Sequence, residues 1–399
     1  MERVAVIYDV GAATPTEILA SLLDTVEPVF VLSDSQRELA ELLADVADVS
    51  TFNDVAALEP RGVITFSDYH LERAADLAAT LGLPFHSVDT ARNLTRKYLQ
   101  RNILNAHGVG YTATALVTSV DTAAQAAGAV EFPAVLKPDR GFGGTDTYLV
   151  HSRRELLDIA AGLFGRADGE SDTEYVLETL LPGIDLEPPW GDYVSVESVV
   201  QGGTIRHLAV TGKLALSPPF REQGSLLPAA PHTFDHAEVL DLATRALVAL
   251  DVGDSVCHTE VKLTPMGPRI IEVNGRLGHP LYDLFMRAHN IDLIQVATQI
   301  ALGRTPAFDL TPSDDVVYHY FGLPPVGATR LLEPPSQARL RATPEVDHFE
   351  LLIKPGTPVD WRRGFRERTY TCLGRTATHA DLATFVTDLD TTLGVEYET

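Results

Sequence analysis

Residues 258 to 276, HTEVKLTPMGPRIIEVNGR, gather two carboxylates, an amide and a guanidinium in one short stretch. Two runs of alternating polar and apolar residues, His258 to Thr264 and Arg269 to Asn274, flank a Pro-Met-Gly-Pro turn signal, which reads as a β-hairpin. Side chains two apart on a strand share a face, so His258, Glu260 and Lys262 point one way, as do Glu272, Asn274 and Arg276 on the second strand. Two carboxylates and an amide oxygen on one surface suit a hard cation, Mg²⁺ or Mn²⁺, of the kind held by one or two carboxylates plus substrate phosphates. Arg276 has no metal role; its planar fork suits a carboxylate or phosphoryl group beside the metal. A solvent-facing hairpin with Glu and Lys paired across strands fits the same pattern, so other parts of the chain must decide.

Two further stretches add cations and a loop. FPAVLKP, residues 132 to 138, reads as a strand ending near Lys137, and DRGFGGTD follows. Gly141, Gly143 and Gly144 let the backbone turn tightly and bring several N–H groups to a polyanion, with Lys137 as a point charge beside them. The lysine precedes the glycines and no GK[ST] follows, so this is not the Walker arrangement; a simple hairpin tip is the alternative. Residues 90 to 107 have helical spacing, with Leu94, Tyr98, Leu99, Ile103 and Leu104 in one apolar stripe and Gly108 to stop the helix. Lys97 and Arg101, four apart, share another face, which alone reads as a solvated basic surface.

The elements around these stretches supply the frame. Arg3 to Tyr8, Pro28 to Leu32 and Gly62 to Phe66 read as buried strands alternating with helical runs such as Pro15 to Leu23, which implies an open parallel sheet. No GxGxxG follows the first strand, so a dinucleotide site there has little support. Thr173 to Leu181, Tyr193 to Val200 and Thr204 to Leu216 are strand-like, the last two forming a hairpin that carries Glu197 and Lys213, with an inserted loop at 184 to 192. Helices are expected over Asp235 to Asp251, Tyr282 to Ala301 and His379 to Leu393, with a linker at 305 to 315. Strands are expected at Val316 to Phe321, His348 to Lys354 and Arg368 to Leu373.

Composition narrows the class. The 399 residues are 45% hydrophobic and 22% charged, enough to bury the cores of several domains. A formal net charge of −24 argues against nucleic acid as a partner. Cys257 and Cys372 are too few for a disulfide framework or a cysteine metal site. The N-terminus enters a strand without a secretory pattern, and no run approaches the ~20 apolar residues of a membrane span. The expectation is a cytoplasmic protein with no membrane partner, and a homodimer by base rate.

Taken together, the helix lysine Lys97, the strand lysine before a glycine loop (FPAVLKPDRGFGGTD), the glutamate strand LETLLPG, HTEVKLT and IIEVNGR occur in an order that resembles the ATP-grasp carboxylate-amine ligases. The resemblance is strong over residues 90 to 300 and looser outside. It implies an α/β fold with α+β elements: a Rossmann-like N-terminal domain (1–90) with an open parallel sheet, a helical connector (91–125) and a small ATP-binding lid (126–200). A large ATP-grasp subdomain (201–310) and a C-terminal α+β segment (311–399) complete it.

By the same resemblance, Lys97 and Lys137 hold ATP phosphates and the loop Gly141, Gly143, Gly144 and Thr145 folds over them. Glu178 and the backbone at Leu180 and Leu181 line the base and ribose; Glu260, Glu272 and Asn274 hold the metal; Arg276 steadies an acyl phosphate. Within the family, GDYVSVESVV, AVTGKLAL and PPFREQGSLLPA are similar to the bacterial L-amino-acid ligases of the bacilysin-synthetase type. That group carries a glutamate and, three residues later, a histidine at the amino-acid site; Glu222 fits, and Ser225 stands where the histidine is expected. Glu222 is expected to meet the substrate ammonium, with Trp190, Phe220, Ser225 and His279 shaping the pocket.

The implied chemistry is coherent. A carboxylate is a poor electrophile, and phosphoryl transfer from ATP activates it while a metal and lysines neutralise the developing charge. A glycine-hinged flap shields the product of that step from water. The expected activity is an ATP- and Mg²⁺-dependent ligase joining small-molecule carboxylate and amine substrates, both amino acids, into a dipeptide. The rivals are an ATP-grasp enzyme with a different acceptor, such as bicarbonate or a nucleotide-precursor amine, and a nucleotide-binding module without turnover.

Overall fold

The computed structural model describes residues 1–164, 173–230, 234–311, 313–387 and 389–399. Four short strands near the N-terminus, β1 (Arg3–Ile7), β2 (Glu27–Val31), β3 (Asp48–Ser50) and β4 (Gly62–Thr65), form a parallel sheet in the order β3-β2-β1-β4. Helices α1 (Pro15–Leu22), α2 (Arg37–Leu43) and α3 (Leu71–Leu81) connect them. Val4, Val6 and Phe30 pack toward α1, whereas Ala5, Ile7, Val31 and Val63 pack toward α3. Both faces are therefore covered, which is why these strands read as continuous apolar runs. Thr14, Pro15 and Glu17 start α1 with a capping box and a proline in the first turn.

The single helix expected over residues 90–107 is two, α4 (Val88–Thr95) and α5 (Lys97–Ala106), with Arg96 extended between them. The break has a distant cause. The Lys97 amide donates to Asp139 O at 3.0 Å and the Tyr98 amide to Asp139 Oδ1 at 2.8 Å, so orphan amides of α5 are capped by a residue some forty positions further along the chain. The helix is thereby set with Lys97 and Arg101 facing protein rather than solvent, their side chains only 16% and 4% exposed.

A second, antiparallel sheet has the order β5-β8-β6-β7, from β5 (Thr114–Val117), β6 (Ala134–Pro138), β7 (Tyr148–Val150) and β8 (Tyr175–Thr179). Helices α6 (Val120–Ala126) and α7 (Arg153–Phe164) cover one face through Ala123, Leu156 and Ala160 against Ala134, Leu136 and Leu177. Alternation leaves Val135, Lys137 and Glu178 on the other face, toward the cavity described below.

The third sheet is the largest, eight antiparallel strands in the order β13-β12-β9-β10-β11-β14-β17-β16. It begins with β9 (Trp190–Gln201), β10 (Thr204–Leu214) and β11 (Gly224–Leu227), followed by α8 (His236–Ala249), β12 (Ser255–Thr264) and β13 (Gly267–Asn274). Val239, Leu242 and Ala246 of α8 cover Val194, Val196, Val261 and Val273, so Ser195, Glu197, His258 and Glu260 fall on the opposite face. The helix expected over 282–301 divides into α9 (Leu281–His289) and α10 (Leu293–Ala301), because Asn290 adopts the left-handed conformation (φ 53°) and ends α9.

The C-terminal segment adds β14 (Val316–Gly322), β15 (Arg330–Glu333), α11 (Gln337–Ala342), β16 (Val346–Leu351) and β17 (Tyr370–Thr376). Strand β14 pairs with β11, so the segment extends the large sheet rather than standing apart from it. The expected closing helix is α12 (His379–Val386) and α13 (Leu389–Leu393), and β18 (Glu396–Glu398) pairs with β15. Position 388 in that helix and position 312 in the expected linker lie outside the described residues. Among the described residues no helix is long and apolar enough to cross a membrane.

Candidate active site

The hairpin forms as the alternation requires. His258 lies opposite Asn274 and Glu260 opposite Glu272, after which the register slips, so that Lys262 faces Arg269. The carbonyls of Ile270 and Ile271, at the slip, accept Arg101 Nη1 at 2.8 Å and Nη2 at 2.7 Å. The arginine therefore fixes the backbone just before Glu272.

Two adjoining cavities meet at this hairpin. The larger is lined by Lys97, Lys137, Gly141, Gly143, Gly144, Thr145, Glu178, Leu180 and Leu181, which gathers the whole expected nucleotide set, together with Phe220. The smaller is lined by Asp68, His258, Asn274, Arg276, His279 and Phe365. Glu222, Glu260 and Glu272 border both.

Charges in the larger cavity are matched within its wall. Lys97 Nζ donates to Gly141 O at 2.6 Å and lies 3.4 Å from Glu272 Oε2. Glu178 sits between Arg101 Nε at 3.0 Å and Lys137 Nζ at 2.8 Å. Burial would raise the Glu178 pKa, but the two cations outweigh it and hold the carboxyl at about 2. Burial also acts against Glu272, and Lys97, Lys137 and Arg276 outweigh it to the same value, about 2.

A group so depressed contributes stability that is complete above the unfolded carboxylate pKa and is lost as pH falls toward the folded one. Glu178 should therefore stabilise the wild type by on the order of 3 kcal/mol above pH ~5, declining toward pH ~2. Glu178→Gln, which strands two buried cations, is expected to lose about 3–5 kcal/mol at pH 7. It should also show a flatter decline in urea-unfolding free energy between pH ~5 and ~3. Parallel pH profiles for the two proteins would refute the assignment.

The donor set fits a hard divalent cation. Glu260 and Glu272 are direct cross-strand partners, a relation that puts Cβ atoms about 5 Å apart. Asn274 Nδ2 donates to Glu272 Oε1 at 3.3 Å, and Asn274 Oδ1 accepts from Arg276 Nη2 at 3.3 Å. Among the described residues no group of three or more His, Cys, Asp and Glu is gathered to hold a metal. Two carboxylates and an amide instead match an ion that completes its shell with phosphate and water.

Behind the donors lies a chain that the sequence reading did not assign. Glu197, fully buried on β9, approaches His258 Nδ1 with both oxygens, at 2.9 and 3.1 Å, and His258 Nε2 lies 3.4 Å from Glu260 Oε1. Burial would lower the imidazole pKa, but Glu197 outweighs it and raises the pKa to about 9. A cationic His258 between two carboxylates fixes the orientation of Glu260.

Arg276 is held from across the molecule. Its Nη2 donates to Asp68, which follows β4 of the N-terminal sheet, and its Nη1 donates to Leu277 O at 3.0 Å. Nothing near Asp68 in the sequence advertised this role.

The expected amino-acid pocket is only partly assembled as foreseen. Glu222 is paired with the ammonium of Lys213, whose side chain is fully buried, and it accepts from Ser225 Oγ at 2.9 Å. Ser225, expected in the wall, is fully buried on β11 and lines neither cavity, because its hydroxyl is held under Glu222 by Lys213 at 3.1 Å. Trp190 lines neither cavity either; it lies edge-on to His379 at 5.9 Å and packs against the C-terminal core. Phe220 borders the larger cavity and His279 the smaller.

A flap-bearing four-stranded sheet facing a large antiparallel sheet, with Lys137 of the first and Lys97 of α5 opposite carboxylates from the second, is an ATP-grasp fold. The chain superposes on an L-amino acid ligase from Bacillus licheniformis with a TM-score of 0.79 at 19% identity, covering 100% of this chain and 99% of that one. In sequence it is 28% identical over 307 residues to carnosine synthase 1 of Homo sapiens, covering 71% of this chain and 35% of that protein. It is 22% identical over 342 residues to the L-arginine-specific L-amino acid ligase of Bacillus subtilis, covering 84% and 78%. The chain thus spans about a third of the length of the carnosine synthase it matches. No family model matches the chain. The expected resemblance to ATP-grasp ligases is borne out in sequence and in fold.

Proposed function

We propose that the chain is an ATP-dependent carboxylate-amine ligase that activates one amino acid as an acyl phosphate and joins it to the amine of a second, releasing ADP and phosphate. The observation that carries this is the position of Glu260 and Glu272, on the border of a lysine-lined and an arginine-lined cavity. A divalent ion held by Glu260, Glu272 and Asn274 would neutralise phosphate oxygens and orient the γ-phosphate. Lys97 and Lys137 bind the phosphates from the flap side. Arg276 presents its fork to the carboxylate as it becomes an acyl phosphate and then a tetrahedral adduct, where negative charge is greatest. The flap excludes water from the acyl phosphate. Similarity to amino-acid ligases and to carnosine synthase supports amino acids as both substrates, and dependence on ATP argues for work in the cytoplasm.

The test is to incubate the full chain with ATP, Mg²⁺ and pooled amino acids, following ADP release and the mass spectrum of the products. Amino-acid-dependent ADP formation with a dipeptide mass is expected. Absence of turnover with every carboxylate and amine pair would overturn the reading.

A further inference from the structure

The glycine flap is fastened to the C-terminal segment, and the fastening reaches the smaller cavity. Residues Trp361–Glu367 form a short 3₁₀ stretch interrupted at Gly364, whose φ is 61°. From it Phe365 N donates to Gly143 O at 2.7 Å, while Asp146 N donates to Arg362 O at 2.8 Å and Thr145 Oγ1 to Arg363 O at 3.1 Å. The backbones approach as closely as glycine permits. A Cβ on Gly364 would lie 2.3 Å from Gly143 O, and one on Gly143 would lie 2.8 Å from Phe365 Cβ.

Side chains extend the junction in two directions. The exposed Arg366 guanidinium stacks 4.8 Å from the Phe142 ring in the flap and 5.9 Å from the ring of Tyr69, next to Asp68 in the N-terminal domain. Tyr69 and Phe142 meet edge to face at 5.7 Å. Phe365 turns the other way and walls the smaller cavity, 4.9 Å from His279 and 4.7 Å from Phe321. Neighbouring residues of one segment thus touch the flap over one cavity and the wall of the other.

We propose that residues 361–367 are a latch that couples occupation of the smaller cavity to closure of the glycine flap, with Phe365 and Arg366 as positioning residues. The inference rests on the ligase reading. An acyl phosphate has two fates in this site. In the productive one the amine nitrogen bonds to the acyl carbon, loses a proton and expels phosphate. In the wasteful one water bonds to the same carbon, expels phosphate and regenerates the carboxylate, so ATP is spent without product. A ring seated in the substrate wall and bonded through its own amide to the flap favours the first, because the flap is held shut while substrate presses on Phe365.

The experiment compares full-length wild type with Arg366→Ala and Gly364→Ala. Arg366 is exposed, so its removal leaves the fold intact; Gly364→Ala forces the two backbones apart. Two readouts are taken: dipeptide formed per ADP released, and amide hydrogen exchange over residues 142–146 with ADP and Mg²⁺ bound. In both variants the product-to-ADP ratio is expected to fall at least about twofold and amine-independent ADP release to rise roughly fivefold. Exchange at the Asp146 amide should quicken by about tenfold as its bond to Arg362 opens. Arg366→Ala with a wild-type ratio and wild-type exchange would overturn the latch. A wild type that makes no amide would instead overturn the ligase reading, and the exchange comparison would still decide the latch.

Discussion

Glu272→Ala is expected to lower the rate of amide formation by about a thousandfold or more at saturating ATP and Mg²⁺. Two losses combine. The cross-strand partner of Glu260 disappears, so an ion held as proposed would lose a charged ligand on the side nearer the lysines, and Lys97 loses the carboxylate 3.4 Å from its ammonium. Nucleotide phosphates would compensate for the second loss in the ternary complex, so there the deficit should appear in kcat and in metal affinity, while the nucleotide-free variant should also lose folding stability, as any carboxylate held this low by buried cations must. Mn²⁺ binding in the presence of ADP, followed by electron paramagnetic resonance, should weaken by at least about tenfold. A variant turning over within about threefold of wild type would remove Glu272 from the ligand set.

Arg276→Met is expected to cost roughly 10²–10³ in kcat with little change in ATP affinity, because in the proposed reaction the guanidinium acts where charge develops rather than where the nucleotide sits. Arg276→Lys keeps the charge but loses the planar fork that also contacts Asp68 and Asn274, and should recover only part of the loss, to within about tenfold to a hundredfold of wild type. Burial opposes the charge on Arg276, yet Asp68 outweighs it and raises the pKa further, so no titration of this group should enter the pH profile. Steady-state ADP release with fixed amino acids gives both numbers. Equal effects of the Met and Lys variants would mean that charge is irrelevant, and wild-type kcat in Arg276→Met would exclude the group from the reacting centre.

The parts of this site that were legible in the sequence are those written in local alternation. His258, Glu260, Glu272 and Asn274 fell on one face because a strand has a period of two, and Lys137 with its glycines was visible as a strand running into a loop. What stayed hidden was long-range. Glu197 sat on a correctly read strand, but its meeting with His258 depends on β9 pairing with β12 across more than fifty residues. Asp68 and Phe365 reach the cavity from opposite ends of the chain, and no periodicity marks either. The division of α4 from α5 was missed because the cap comes from Asp139, and helical spacing continues through Arg96. Ser225 was placed by motif position and Trp190 by its expected place in the pocket; strand pairing set one under Glu222 and the other against the C-terminal core.

The continuation of the large sheet through β14, β17 and β16 bears on how this chain can be cut or recombined. A boundary drawn at the end of α10 looks natural by sequence, yet separating there would strip β11 of β14, one of its two neighbours, and leave a fresh row of amides and carbonyls ready to recruit another molecule. Anyone grafting a foreign tail onto this scaffold would need to preserve that seam, because the piece removed is part of the wall and not a passenger.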